Sequence, residues 1–118
     1  MRLNTCLAAL ALSLSTLPAW SQSYICSGQA PNWRVEFDAV QGRFSFPAPT
    51  DMDVMLVTTA EGAADGWPRA FTLIGERDTA IVLIEQEACG AQPLRAHVMT
   101  QRGQTPILLT GCCTAAAE

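Results

Sequence analysis

Along the chain, apolar and polar residues alternate in short stretches separated by Gly, Pro, Asp and Asn, a pattern that predicts strands and turns rather than helices. The clearest stretch is Asn32 to Asp38, where Trp33, Val35 and Phe37 fall on one face and Arg34, Glu36 and Asp38 on the other. Ala39 to Gly42 reads as a turn, and Arg43 to Phe46 as the returning strand with Phe44 and Phe46 inward. Pro47 and Pro49 are expected to end that strand, because neither can donate to a ladder. Further strands are predicted over Asp53 to Thr59, Arg69 to Ile74, Thr79 to Glu85, Leu94 to Gln101 and Thr105 to Cys113. Glu61 to Gly66 reads as a flexible loop, and Gly75 to Asp78 and Arg102-Gly103 as tight turns.

The Thr79 to Glu85 run is apolar on both faces, which suits a central strand. Thr114 to Glu118 is expected to fray. With no amphipathic helix, repeat or linker in the series, the fold expected is all-β: a small antiparallel barrel or sandwich of seven to eight strands, closed so as to hide its edges.

Residues 1 to 21 have a different character. Arg2, the apolar run Cys6 to Leu14, Pro18 and the small residues Ala19 and Ser21 read as a signal peptide cleaved after Ser21. The run falls short of the roughly 20 apolar residues that a membrane helix needs. Cys26 follows Ser23-Tyr24-Ile25 rather than the small residue that a lipid-bearing cysteine requires, so no membrane anchor is expected. The reading is a signal peptide over 1–21 and a single periplasmic or secreted domain over 22–118. Removing 21 of the 118 residues would leave 97, with six Arg against 11 acids and a net charge of −5. A chain of that size can bury one core.

The exported part holds four cysteines, Cys26, Cys89, Cys112 and Cys113, an even count that implies two disulfides in an oxidising compartment. Adjacent Cys112 and Cys113 cannot bond to each other without strain, and on a strand they point to opposite faces. Each therefore takes a different partner from Cys26 and Cys89. Two pairings satisfy this; the one preferred joins Cys89 to Cys112 and Cys26 to Cys113. A zinc site is disfavoured, since neither C-x-x-C nor H-x-x-x-H spacing occurs.

Charge and chemistry remove further classes. The whole chain carries 11 Asp and Glu against seven Arg, with no Lys and a net charge of −4. The arginines are scattered singly among carboxylates, whereas nucleic-acid binding draws on clustered cations. His97 is the one imidazole; on an alternating strand it shares a solvent-side face with Arg95, Met99 and Gln101. Asp51 with Asp53, and Glu85 with Glu87, are spaced to share a face, but neither pair comes with the cleft that glycosidase chemistry requires, and both read as solvated surface. No phosphate-binding glycine loop opens a helix. No catalytic residue, metal or cofactor is assigned. Trp33 reads as core, while Trp67 beside Pro68, after a Gly-rich turn, is the candidate partner-binding pair.

Cys26-Ser27-Gly28, Pro31 and Trp33, with Cys89 and Gly111-Cys112-Cys113 downstream, resemble the C-x-G-x-x-P-x-W start and Cys-to-Gly-Cys finish of a family of small exported bacterial envelope proteins, some of them lipid-anchored. Gly90-Ala91-Gln92-Pro93-Leu94 departs from the acidic, Met-containing turn and Tyr-Pro of many relatives. Looser likenesses are to the periplasmic inhibitors of c-type lysozyme and to META-domain proteins. Tyr24-Ile25-Cys26 looks like the opening strand of the inhibitors, but their Ser-Gly-containing loop and basic inhibitory residue have no counterpart here.

These resemblances imply a β-rich envelope module, and the function expected is a non-catalytic periplasmic binding or envelope-maintenance protein that requires no cofactor. The second reading is inhibition of c-type lysozyme, an acidic domain meeting a basic enzyme, so the expected partner is a basic envelope protein or lysozyme. The third is a hydrolase. An apolar pocket without convergent polar groups would favour the first, a protruding loop the second, and His97 bonded to a carboxylate within a cleft the third.

Overall fold

The structure, a computed structural model, describes residues 22–117. The signal peptide expected over 1–21, with Cys6, lies outside them. Eight strands follow one another: β1 (Gln22–Gly28), β2 (Trp33–Phe37), β3 (Gln41–Ser45), β4 (Pro49–Thr59), β5 (Arg69–Gly75), β6 (Thr79–Glu85), β7 (Leu94–Arg102) and β8 (Thr105–Ala117). Each pairs antiparallel with the next, and β8 pairs with β1, giving a closed barrel in sequence order. The all-β expectation is therefore met by a barrel of eight strands, not a sandwich.

Alternation decides what faces inward. Tyr24 and Cys26, Trp33, Val35 and Phe37, Phe71 and Leu73, Ala80, Val82 and Ile84, and Leu94, Ala96 and Val98 fill the interior. With Leu73, Val35, Val82, Val98 and Ile84 wholly buried, the barrel centre is a packed core. Tyr24, Phe37 and Phe71 close it from above, their ring centroids 4.8 to 5.4 Å apart. Below, Phe46 lies under the Arg102 guanidinium, 4.1 Å from its ring centroid, and Arg102 also donates to the Phe46 carbonyl.

The seam between first and last strands gathers the residues that carry the resemblance. Cys26 lies opposite Cys113 and is bonded to it, both wholly buried. Cys89, in the β6–β7 loop, is bonded to Cys112. Gly28 and Gly111 leave room for the Trp33 ring, whose Nε1 donates to the Thr110 carbonyl at 3.2 Å. A Cβ on Gly111 would overlap the Ser27 carbonyl oxygen and come within 2.8 Å of Trp33 Cζ2. The two disulfides are compatible with an oxidising compartment, and no helix among the described residues is long and apolar enough to cross a membrane.

Several boundaries differ from expectation. Thr114 to Ala117 does not fray; it pairs with Gln22 to Ile25, because closure needs β8 to run the full height of β1. The first turn is Asp38 to Gln41, one residue early, since the Asp38 carboxylate binds the N–H groups of Val40 and Gln41, both at 2.8 Å. The next strand accordingly spans Gln41–Ser45, with Phe46 half-buried beyond its end. Pro49 opens β4 instead of ending β3, a first position where a missing donor costs nothing. Nor is the Thr79 to Glu85 strand covered on both faces. Among the described residues a single closed sheet has no second layer, so Ile81, Met99 and Leu108, opposite one another across β6, β7 and β8, remain 38, 57 and 68% exposed.

Candidate functional site at the open end of the barrel

The upper end is open for a reason visible in strand lengths. β3 has five residues and β4 eleven, so Gln41 pairs with Asp53 and nothing continues β3 alongside the rest of β4. The last bond on that side runs from Val54 N–H to the Val40 carbonyl, at 2.8 Å. A bulge then inserts Met55 between Val54 and Leu56 opposite β5, which bends and twists the strand outward. Met55 to Thr59 therefore present a free backbone edge, with no strand against it among the described residues. All five side chains are exposed and none is charged.

Val57 shows what the flare does. It lies opposite the buried Phe71 and so faces the barrel axis, yet it is 53% exposed. Between it and the tops of β1 and β2 lies a cavity of about 610 Å³, lined by Tyr24, Asp38, Val57, Trp67, Arg69 and Phe71 among others. Apolar rings form its inner wall, and the free β4 edge forms one side.

The β4–β5 loop is ordered by its own bonds. Ala60 N–H donates to the Pro68 carbonyl at 3.0 Å, and Trp67 N–H to Asp65 Oδ1 at 3.1 Å. Arg69 Nε donates to the Gly66 carbonyl at 2.8 Å, while its Cζ sits 4.2 Å from the Trp67 ring centroid. This fixes the indole and the guanidinium together. Of the candidate pair, Trp67 is half-buried on the cavity wall and Pro68 is exposed at the end of the loop.

Across the cavity, the two backbone N–H groups on Asp38 hold its carboxyl below the ordinary value of 3.8. A lowered value means that this stabilisation is present above the ordinary carboxylate range and disappears as pH falls through the lower folded value. Asp38→Ala is accordingly expected to lower the urea midpoint at pH 7, and the loss is expected to shrink as pH is taken below the ordinary carboxylate range. A loss that stays constant as the pH is lowered would contradict the assignment.

Comparison with protein-family models, curated proteins and solved structures brings out no match.

The other candidates lie elsewhere and are not brought together. His97 Nε2 is 3.9 Å from Glu85 Oε2 on the outer wall, and Arg95 Nε is 3.7 Å from Glu87 Oε2 nearby. Glu85 ends β6 while Glu87 lies in the following loop, so the two acids do not share a strand face. Asp51 and Asp53 border an outer groove of about 660 Å³, where Arg43 Nε already engages Asp51 at 3.0 Å. Among the described residues, no group of three or more His, Cys, Asp or Glu is placed to hold a metal.

Sequence reading singled out Trp67 but not Tyr24, Val57, Arg69 or Phe71. One signal was available for Val57. Met55 to Thr59 carries no charge, whereas Pro49 to Val54 carries Asp51 and Asp53, a change of character within one strand.

Proposed function

We propose that the protein is a non-catalytic envelope binding module that receives an extended polypeptide segment along the free edge of β4. The observation that carries this reading is the uncharged edge Met55 to Thr59 beside a cavity into which the axis-facing Val57 projects unfilled. Strand addition suits such an edge, since main-chain hydrogen bonds supply affinity and alternate side chains enter a pocket. Val57, Phe71, Trp67 and Tyr24 would meet apolar side chains there. The outward, solvent-side position of His97 and the Arg43 contact to Asp51 weigh against a hydrolytic site.

The test is selection from a pool of random dodecapeptides with free termini, read by mass spectrometry. Apolar-rich sequences are expected to be retained. Thr58→Lys, an outward charge that blunts the edge, and Trp67→Ala are each expected to weaken retention at least about tenfold, the equivalent of about 1.4 kcal/mol, with the fold intact by circular dichroism. No enrichment, or enrichment unaffected by both variants, would contradict the reading.

A second reading has its own observation. The β4–β5 hairpin runs on past the end of β3 and carries exposed Glu61 and Asp65 in its loop, a shape and charge that suit contact with a basic enzyme. Under this reading the protein inhibits c-type lysozyme. Lysozyme activity unchanged by a stoichiometric excess of the purified protein would remove it.

A further inference from the structure

Arg69 supplies a feature that strand addition alone does not explain. Among the described residues it is the only cation on the cavity wall, and it makes no ion pair with any of them. Its position is set before any ligand arrives, because Nε is tied to the Gly66 carbonyl and Cζ sits over the Trp67 ring. The bond uses Nε and leaves the terminal nitrogens to serve another acceptor. A half-buried arginine in a fixed pose loses little side-chain freedom when it binds a carboxylate, and its planar fork matches the two carboxylate oxygens. Asp38, the one carboxylate on the same wall, already accepts two N–H bonds within its own turn.

Arg69 also stands at a defined place along the edge. It pairs with Thr59, the last residue of β4, so it marks the upper end of the five-residue edge that begins at Met55. A strand lying on that edge comes level with Arg69 only at one end.

We propose that the site recognises a carboxylate at the end of the bound segment, with Arg69 as the specificity-determining residue. This rests on the strand-addition reading and adds to it the chemistry of the ligand end. The carboxylate is the C-terminal one of the bound chain, since Arg69 stands level with the last residue of the edge, where that chain would end.

The experiment uses the tightest-binding dodecapeptide from the pool in three forms: free C terminus, C-terminal amide, and amide with its last acidic side chain, if it has one, changed to the corresponding amide. Each is titrated into the intact protein and into Arg69→Gln by calorimetry. The unmodified protein is expected to bind the fully neutralised form at least about tenfold more weakly than the free acid, while Arg69→Gln binds all forms alike and weakly. A drop on amidation of the C terminus supports the proposal; a drop that appears only when the acidic side chain is also neutralised overturns it. If neutralisation leaves affinity unchanged while Thr58→Lys still abolishes binding, the carboxylate proposal is overturned and the strand-addition reading stands. If no peptide binds the unmodified protein, both are overturned.

Discussion

Replacing Cys26 and Cys113 together by alanine is expected to lower the melting temperature by about 15 to 40 °C. The two residues are 87 apart in sequence and close the barrel between its first and last strands. In the chain-entropy treatment, a crosslink across that separation contributes about 4 to 5 kcal/mol by limiting the unfolded chain. For a domain of this size each kcal/mol moves the midpoint by roughly 4 to 8 °C. Both sulfurs also lie in the wholly buried core, so their removal adds a small cavity at the seam. The Cys89 to Cys112 crosslink spans 23 residues and ties a loop to the outer side of β8, so its removal is expected to cost less, about 3 kcal/mol. Calorimetric melting of the two double variants checks the order. A larger loss from the second pair would mean that closure of the barrel does not depend on the seam.

Trp33→Ala is expected to cost about 3 to 5 kcal/mol, the range for removing a large buried aromatic side chain. The indole is 4% exposed, bonded to the Thr110 carbonyl, and fitted against Gly28 and Gly111 where β8 meets β1. Gly111→Ala attacks the same fit from the other side. Its new methyl would meet the Ser27 carbonyl, a backbone atom that cannot swing away, so strands β1 and β8 must separate. An effect of about 3 kcal/mol is expected, at the upper end for overpacking. Gly103→Ala, with open space around the would-be Cβ but a backbone φ of 60°, is expected to cost about 1 kcal/mol. Urea unfolding distinguishes these. A Gly111→Ala protein as stable as Gly103→Ala would show that the seam has room the geometry denies.

The barrel was legible in the sequence wherever one face was buried and the other wet. Trp33, Val35 and Phe37 against Arg34 and Glu36 leave no ambiguity, and Cys112 beside Cys113 demands two partners on two sides. Less was readable where closure, a long-range property, decides the outcome. Nothing local in Thr114-Ala115-Ala116-Ala117 announces a strand; those residues are extended because β1 stands beside them. Likewise the outer face of β6 is as apolar as a covered strand, and only the topology shows that no second layer covers it among the described residues.

The site was harder still to read. Its opening comes from a mismatch between a short β3 and a long β4, and from one inserted residue, Met55. Strand lengths are set by pairing, and a bulge leaves no mark in composition. Trp67 was conspicuous as an aromatic after a glycine-rich turn, but Arg69 was one of several scattered arginines until the fold placed it against that ring.

Backbone and side-chain resonances of the isotopically labelled protein, followed while the selected free-acid dodecapeptide is added, test the account most directly. Expected are perturbations confined to Met55 to Thr59, the Trp67 indole and the Arg69 Nε–H, with slowed amide exchange along the β4 edge and no movement of His97 or Met99 on the outer wall. Perturbations centred on the outer wall, or β4 edge amides already protected from exchange in the free protein, would contradict it.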